Sequence, residues 1–217
     1  MNYKRRLKKV YNKIFRPGAG KIIVEVGANQ GNDTFRLAED GATVYAFEPT
    51  RELVQKLCKK FDKYHNIKLL PFAIDTENGF KKFNVAGQAD WGCSSFYEFN
   101  DNLEKKWPGR PDFKFTHSYE VPTITLFDFC EMYKIEKIDY LWIDTQGNDF
   151  NVLKSLGSKI DIVKAGQCEA ANTVELYKKT QNKADAVSKW LVEKGFEISR
   201  QDGKEEVNIH FKRKTYV

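Results

Sequence analysis

The chain has 217 residues, 41% of them hydrophobic and 30% charged, with a formal net charge of +6. That length can bury a core without disulfide or metal staples, and no run of 18 apolar residues is present to cross a membrane. Seven of the Lys and Arg residues, and no acid, fall within residues 1–16, so the remainder is close to neutral and has no broad basic surface to present to nucleic acid.

Among those bases, Tyr3, Leu7, Val10, Tyr11, Ile14 and Phe15 recur at helical spacing, which predicts an amphipathic basic helix ending at Pro17-Gly18. Its uses stay open. It can dock on the rest of the chain or on a second subunit of a homodimer, or lie on an anionic membrane or glycolipid, where each Lys or Arg contributes about 1 kcal/mol. It can also recruit nucleic acid, which the neutral remainder disfavours. The N-terminus lacks the apolar core of a secretory signal. Cys58, Cys93, Cys130 and Cys168 form no CxxC pair and have no His ligand set, so they read as free thiols of a cytoplasmic protein. Asp144 and Glu169, at the ends of two strands, can hold a divalent cation with water, but with no His or further acid at ligand spacing no metal is expected. The expected organisation is this helix over residues 1–17 and one domain over 18–217.

Ile22, Ile23, Val24 and Val26 predict a strand buried on both faces. Gly27 and Gly31 follow as a turn that brings backbone close to a ligand. Thr34, Phe35, Leu37 and Ala38 predict a helix closed by Gly41. Thr43 to Phe47 is a second strand, ending at Glu48, which lies 21 residues beyond Gly27. In open α/β sheets, ligands sit beyond the carboxyl ends of the strands, and an acid at that spacing accepts hydrogen bonds from ribose hydroxyls. The layout therefore points to a nucleoside cofactor. A nicotinamide dinucleotide wants G-x-G-x-x-G, and two of its three glycines are absent here.

Arg51 to Tyr64 reads as a helix, Ile67 to Ile74 as a third strand bent by Pro71, and Phe80 to Val85 as a strand after the Asn78-Gly79 turn. Residues 87–120 lose periodicity and crowd in Trp91, Phe96, Tyr97, Phe99, Trp107, Phe113 and Phe115, which suggests a substrate-selecting cap. Thr125 caps the next helix, Asp139 to Thr145 is a fourth strand, and Gly147-Asn148 opens a helix stopped by Gly157. Ile160 to Ala170 holds a fifth strand, Lys183 to Lys194 a helix, and Phe196–Arg200 with Glu206–Arg213 a hairpin. The order predicts an α/β, Rossmann-like, doubly wound and mostly parallel sheet with a C-terminal antiparallel β-hairpin.

Glu25, Gly27, Asn29 and Gly31, the AFEP of Ala46 to Pro49, the loop pair Ser94-Ser95, VPTITLFDF and the DxxG of Asp144 to Gly147 together resemble the FkbM-type family of S-adenosylmethionine-dependent methyltransferases, of class I fold. The resemblance runs from about Lys21 to Glu169. It implies S-adenosylmethionine as cofactor and O-methylation of a small-molecule or glycan hydroxyl. It also implies roles for particular residues. Glu25 orders the turn and the methionine end, and Gly27, Ala28, Asn29, Gln30 and Gly31 line the cofactor. Glu48 with Pro49 takes the ribose, Ala73, Ile74 and Asp75 flank the adenine, and Ser94 and Ser95 contact cofactor or substrate. Asp144 lies beside the transferred methyl, holding the donor's amino group, orienting the acceptor or acting as base. Glu169, at the end of the fifth strand, is the rival base, and His117 in the cap has a suitable unperturbed pKa. Trp91 and Trp107 stack on the acceptor, or are buried under the cap. Gln146 stands where the family has glutamate, and its amide cannot act as a base but can position the acceptor. Two other readings stay open: an inactive cofactor-binding module, and an RNA methyltransferase recruited by the basic arm.

Overall fold

The computed structural model describes residues 18–87, 90–101, 103–110, 113–172, 175–203 and 206–214. The basic stretch 1–16 lies outside these. Strands β1 (Ile22–Val26), β2 (Thr43–Phe47), β3 (Ile67–Leu70), β7 (Tyr140–Ile143), β8 (Ala165–Ala171), β9 (Phe196–Asp202) and β10 (Glu206–Arg213) form one seven-stranded sheet in the order β3-β2-β1-β7-β8-β10-β9. All neighbours pair in parallel except β10, which is antiparallel to both β8 and β9. This is the doubly wound α/β architecture with a terminal hairpin. A second sheet of three strands, β4 (Ala73–Ile74), β5 (Gly79–Val85) and β6 (His117–Ile124), runs in the order β4-β6-β5.

The β-branched run of β1 is buried on both faces because helices cover both. Ile23 packs with Val44 and Ala46 under α1 (Asn32–Ala38) and α2 (Arg51–Phe61), against Leu57 and Phe61. Val24 and Val26 face the larger core with Phe47, Leu141 and Ile143. That core is covered by α4 (Leu126–Met132), α5 (Asp149–Lys154) and α6 (Ala184–Glu193), which follow a short α3 at Leu103–Lys106. Phe47 and Phe129, each 1% exposed, meet edge to face with centroids 4.9 Å apart. Burying a side chain of this size contributes roughly 1.5–3 kcal/mol.

Register places the site. Val26 pairs with Phe47 and with Ile143, and Phe47 pairs with Leu70, so these strands end at one level. Gly27, Glu48, Pro71 and Asp144 therefore emerge side by side.

Two expected elements differ. The stretch 67–74 is two strands in two sheets, because Pro71 has no N–H to continue the ladder and Phe72 turns the chain from β3 into β4. The fifth strand begins at Ala165, since Gly157–Ile162 forms a 3-10 turn. Apolar Ile160 and Val163 are buried in either conformation, so hydrophobicity did not discriminate. The aperiodic segment ends at residue 116, where β6 begins, and its aromatics stack on one another. Phe99 lies face to face with Phe115 at 4.3 Å and with Tyr177 at 5.3 Å.

Thr125 caps α4 as its spacing predicted. Its Oγ1 accepts from Asp128 N at 3.0 Å and donates to Asp128 Oδ2 at 2.8 Å, while Asn78 binds both the Thr125 N–H and that carboxylate. Thr125→Ala is expected to cost about 1 kcal/mol of unfolding free energy, read from denaturant midpoints. A loss below about 0.3 kcal/mol would show that the cap is dispensable.

Candidate functional site

The turn after β1 is welded to the end of β2. Gly27 N and Ala28 N both donate to the Phe47 carbonyl, at 3.0 and 2.9 Å. Glu48, 4% exposed, then reaches back: Oε2 accepts from Asn29 N at 2.7 Å and Oε1 from Thr50 N at 2.8 Å. Gly27, at φ 95°, lies so close to β7 that an added Cβ would stand 1.8 Å from the Asp144 carbonyl oxygen. Gly31, at φ 74°, serves a different purpose. A Cβ there would strike Phe61 and Leu57, so this glycine lets α2 pack against the start of α1.

A cleft of about 580 Å³, counting space open to solvent, lies over these strand ends. Its walls are apolar, from Phe47, Phe72, Ile74, Phe83, Trp91 and Phe96, and polar groups are set in them at Asn29, Glu48, Ser94, Asp144, Gln146 and Asn148. Gly27, Pro49 and Ala73 also line it. Asn29 Oδ1 is buried with no protein partner. Each Glu48 oxygen takes one N–H and keeps further acceptor capacity. A nucleoside with hydroxyl and amino donors fits this combination.

Other expected residues lie around the cleft without lining it. Glu25, 1% exposed, sits beneath the turn with Oε2 unpartnered, and Ala28, Gln30 and Gly31 are not among the residues that line the cleft. Asp75 pairs with Lys81 instead, leaving Oδ1 buried and unpartnered. Ser95 braces the loop after β7, donating to the Gln146 carbonyl at 2.7 Å. His117 is on the outer edge with Nε2 3.1 Å from Glu52 Oε1, away from the cleft, because the first residue of β6 points toward α2. Trp107 packs edge to face on Phe113 within the aromatic stack, not on the cavity.

The carboxyl groups dominate the electrostatics. Burial, opposed by Thr34, pushes Glu25 up to about 8. Burial raises Glu48 to about 7 against the Thr50 hydroxyl and the N–H groups of Thr50 and Asn29. Asp144 is open to the cleft, yet the protein mass around it raises its pKa, opposed by Gln146. Glu169 faces a second, smaller cavity that shares Gln146 with the first and also contains Tyr177, Thr180 and Glu206. Burial, with Asp144 and Glu206 nearby, lifts Glu169 to about 9.

Sequence reasoning missed Asp149 and Tyr177. Asp149 is fully buried and accepts from Thr145 N, Thr145 Oγ1 and Glu169 N at 3.2, 2.7 and 3.0 Å, tying β7 to β8. Burial and Asp144 raise it to about 7. An acid in the first turn of a short helix looks solvated in sequence. Tyr177 lies in a stretch without periodicity, and nothing local marked it.

The sequence pattern of the methyltransferase FkbM domain matches residues 25–198. The chain belongs to the FkbM methyltransferase family. S-adenosylmethionine is the methyl donor of this family. The 2-O-methyltransferase NoeI of Sinorhizobium fredii (strain NBRC 101917 / NGR234) is 28% identical over 140 residues, covering 61% of this chain and 56% of NoeI. The chain thus spans little more than half the length of that curated relative. Two solved structures share the fold. A Clostridium thermocellum protein described as an rRNA methylase has a TM-score of 0.51 at 11% identity, covering 99% of this chain and 98% of its own. A precorrin-6y C5,15-methyltransferase from Geobacter metallireducens GS-15 has a TM-score of 0.50 at 9% identity, with 99% and 90% covered. No helix among the described residues is long and apolar enough to cross a membrane.

Glu25, Glu48, Asp149 and Glu169 all titrate higher in the fold than in the unfolded chain, where carboxyls ionise near pH 4. Their stability contribution is full below that range and is lost as pH rises through 7 to 9. The melting temperature of the FkbM protein should fall between pH 5 and pH 8.5, and less steeply in Glu25→Gln. Identical slopes in the two proteins would show that Glu25 carries no proton in the fold.

Proposed function

We propose that the protein transfers a methyl group from S-adenosylmethionine to a hydroxyl oxygen of a small molecule or glycan. The observation that carries this reading is Asp144: it lines the donor cleft at the end of β7, bonded to Gln146, which lines both that cleft and the second cavity. The relationship to a 2-O-methyltransferase supports oxygen as the acceptor atom.

In this reading Glu48 receives the ribose hydroxyls, Asn29 Oδ1 and the Gly27 backbone hold the polar edge of the donor, and Ile74, Phe72 and Phe96 enclose the base. When bound, S-adenosylmethionine supplies a methyl already activated on sulfonium sulfur. The work left to the chain is to orient the acceptor, exclude water and take up the hydroxyl proton. Asp144 suits the last task. Glu169, pushed up to about 9, holds its proton near neutrality and acts as a donor to the acceptor instead. His117, bound to Glu52 outside the cleft, takes no part.

Ribose hydroxyls need an ionised Glu48, whose pKa is about 7. Calorimetric affinity for S-adenosylhomocysteine should therefore weaken from pH 8 to pH 6, and Glu48→Gln should bind about tenfold more weakly with little pH dependence. Equal affinity in the variant at pH 8 contradicts the assignment. Asp144→Asn should keep that affinity within about threefold. Its methyl transfer to polyhydroxylated acceptors should slow about a hundredfold, measured as product S-adenosylhomocysteine. Undiminished turnover would remove Asp144 as the base.

A further inference from the structure

We propose that Gln146 is the positioning residue of the transfer site: its carboxamide, anchored by Tyr177, holds the Asp144 carboxylate ionised and aimed into the donor cleft. Gln146 Nε2 donates to Asp144 Oδ1 at 2.8 Å, and the Tyr177 hydroxyl stands 3.0 Å from Gln146 Oε1. The contact with the carboxylate fixes the amide's orientation, and the single Tyr177 hydroxyl proton is shared between Gln146 Oε1 and the Cys93 carbonyl. Turned over, it would set its oxygen against an anionic carboxylate, a repulsive contact. The same Tyr177 hydroxyl is 2.9 Å from the Cys93 carbonyl, so the anchor also touches the segment that roofs the cleft.

The backbone at this point is held with equal care. Gln146 has φ 53°, a left-handed conformation uncommon for a residue with a side chain. Groups from two distant segments brace it: Ser95 Oγ donates to the Gln146 carbonyl at 2.7 Å, and Thr180 Oγ1 to the Gly147 carbonyl at 2.6 Å. The outcome is a side chain shared by the two cavities, forming the wall between them.

The chemistry explains why an amide is suited to this place. Around Asp144 stand Glu25 from β1, Asp33 from α1, Glu48 after β2, Asp149 from α5, Glu169 from β8 and the Tyr177 hydroxyl. Each of these carboxylates, when ionised, disfavours a charge on Asp144. A glutamate at 146 would add another in direct contact, and the pair would share one proton. Glutamine donates to the carboxylate without carrying charge or titrating. It thus preserves the group that takes the acceptor's proton.

The proposal rests on the transfer reading above for what Asp144 does, but its test does not need an acceptor. Carboxyl ¹³C NMR titration of the full chain, with the Asp144 signal assigned by Asp144→Asn, reads the group directly. Gln146→Met should raise the Asp144 midpoint by about one pH unit, Gln146→Glu should raise it further and make the titration biphasic, and Tyr177→Phe should raise it by a smaller amount. Gln146→Glu is close in shape to the native residue and serves if the Met variant fails to fold. Binding of S-adenosylhomocysteine at pH 9, retained within about threefold, shows that the cleft is intact. An Asp144 midpoint unmoved in the Met and Glu variants overturns the proposal. Loss of S-adenosylhomocysteine binding by the native protein would instead refute the donor-cleft reading, leaving the titration result to stand alone.

Discussion

Everything at this site depends on one buried carboxylate. Each Glu48 oxygen accepts one backbone N–H, from Asn29 and from Thr50, so the bend after β1 and the start of α2 are held to the end of β2 by a single side chain. Burial opposes that arrangement, as the raised pKa of Glu48 records, and the two charge-assisted hydrogen bonds offset it. Without the clamp, the bend would keep its ties to the Phe47 carbonyl but lose the contact that sets Asn29. The fit of Gly27 against the Asp144 carbonyl extends the same constraint to β7, fixing three strand ends relative to one another.

That rigidity has an electrostatic consequence. Glu25, Glu48, Asp144, Asp149 and Glu169 are gathered around the same strand ends, and several resist ionisation when the cleft holds no cation. Such a site favours a positively charged donor over a neutral or anionic one. It also sorts the carboxyls by role. Asp149 is consumed by three hydrogen bonds that join β7 to β8, Glu169 is driven to its acid form, Glu48 clamps the turn, and Asp144 faces the cleft beside a neutral amide. Environment, not residue type, sets these acids apart.

How much of this was legible in the sequence follows from the range of the interactions. The β-branched run of β1, the spacing from Gly27 to Glu48 and the Thr125 cap are local signals, and each led to the right element. Gly31 was visible as a turn glycine, but its task of admitting Phe61 and Leu57 depends on where α2 packs, which no local pattern encodes. Tyr177 reaches Gln146 across 31 positions and Cys93 across 84. His117 and Trp107 had the right chemistry for a site, yet β6 and the aromatic stack direct them elsewhere. A side chain's chemistry can be read from sequence; the direction it faces is a tertiary property.

A crystal structure of the protein with S-adenosylhomocysteine tests the central claim most directly. The account predicts both ribose hydroxyls within about 3.2 Å of the Glu48 carboxylate, the base between Phe72, Ile74 and Phe96, and the sulfur facing Asp144 and Gln146. A nucleoside bound elsewhere, or one whose ribose leaves Glu48 untouched, would contradict it.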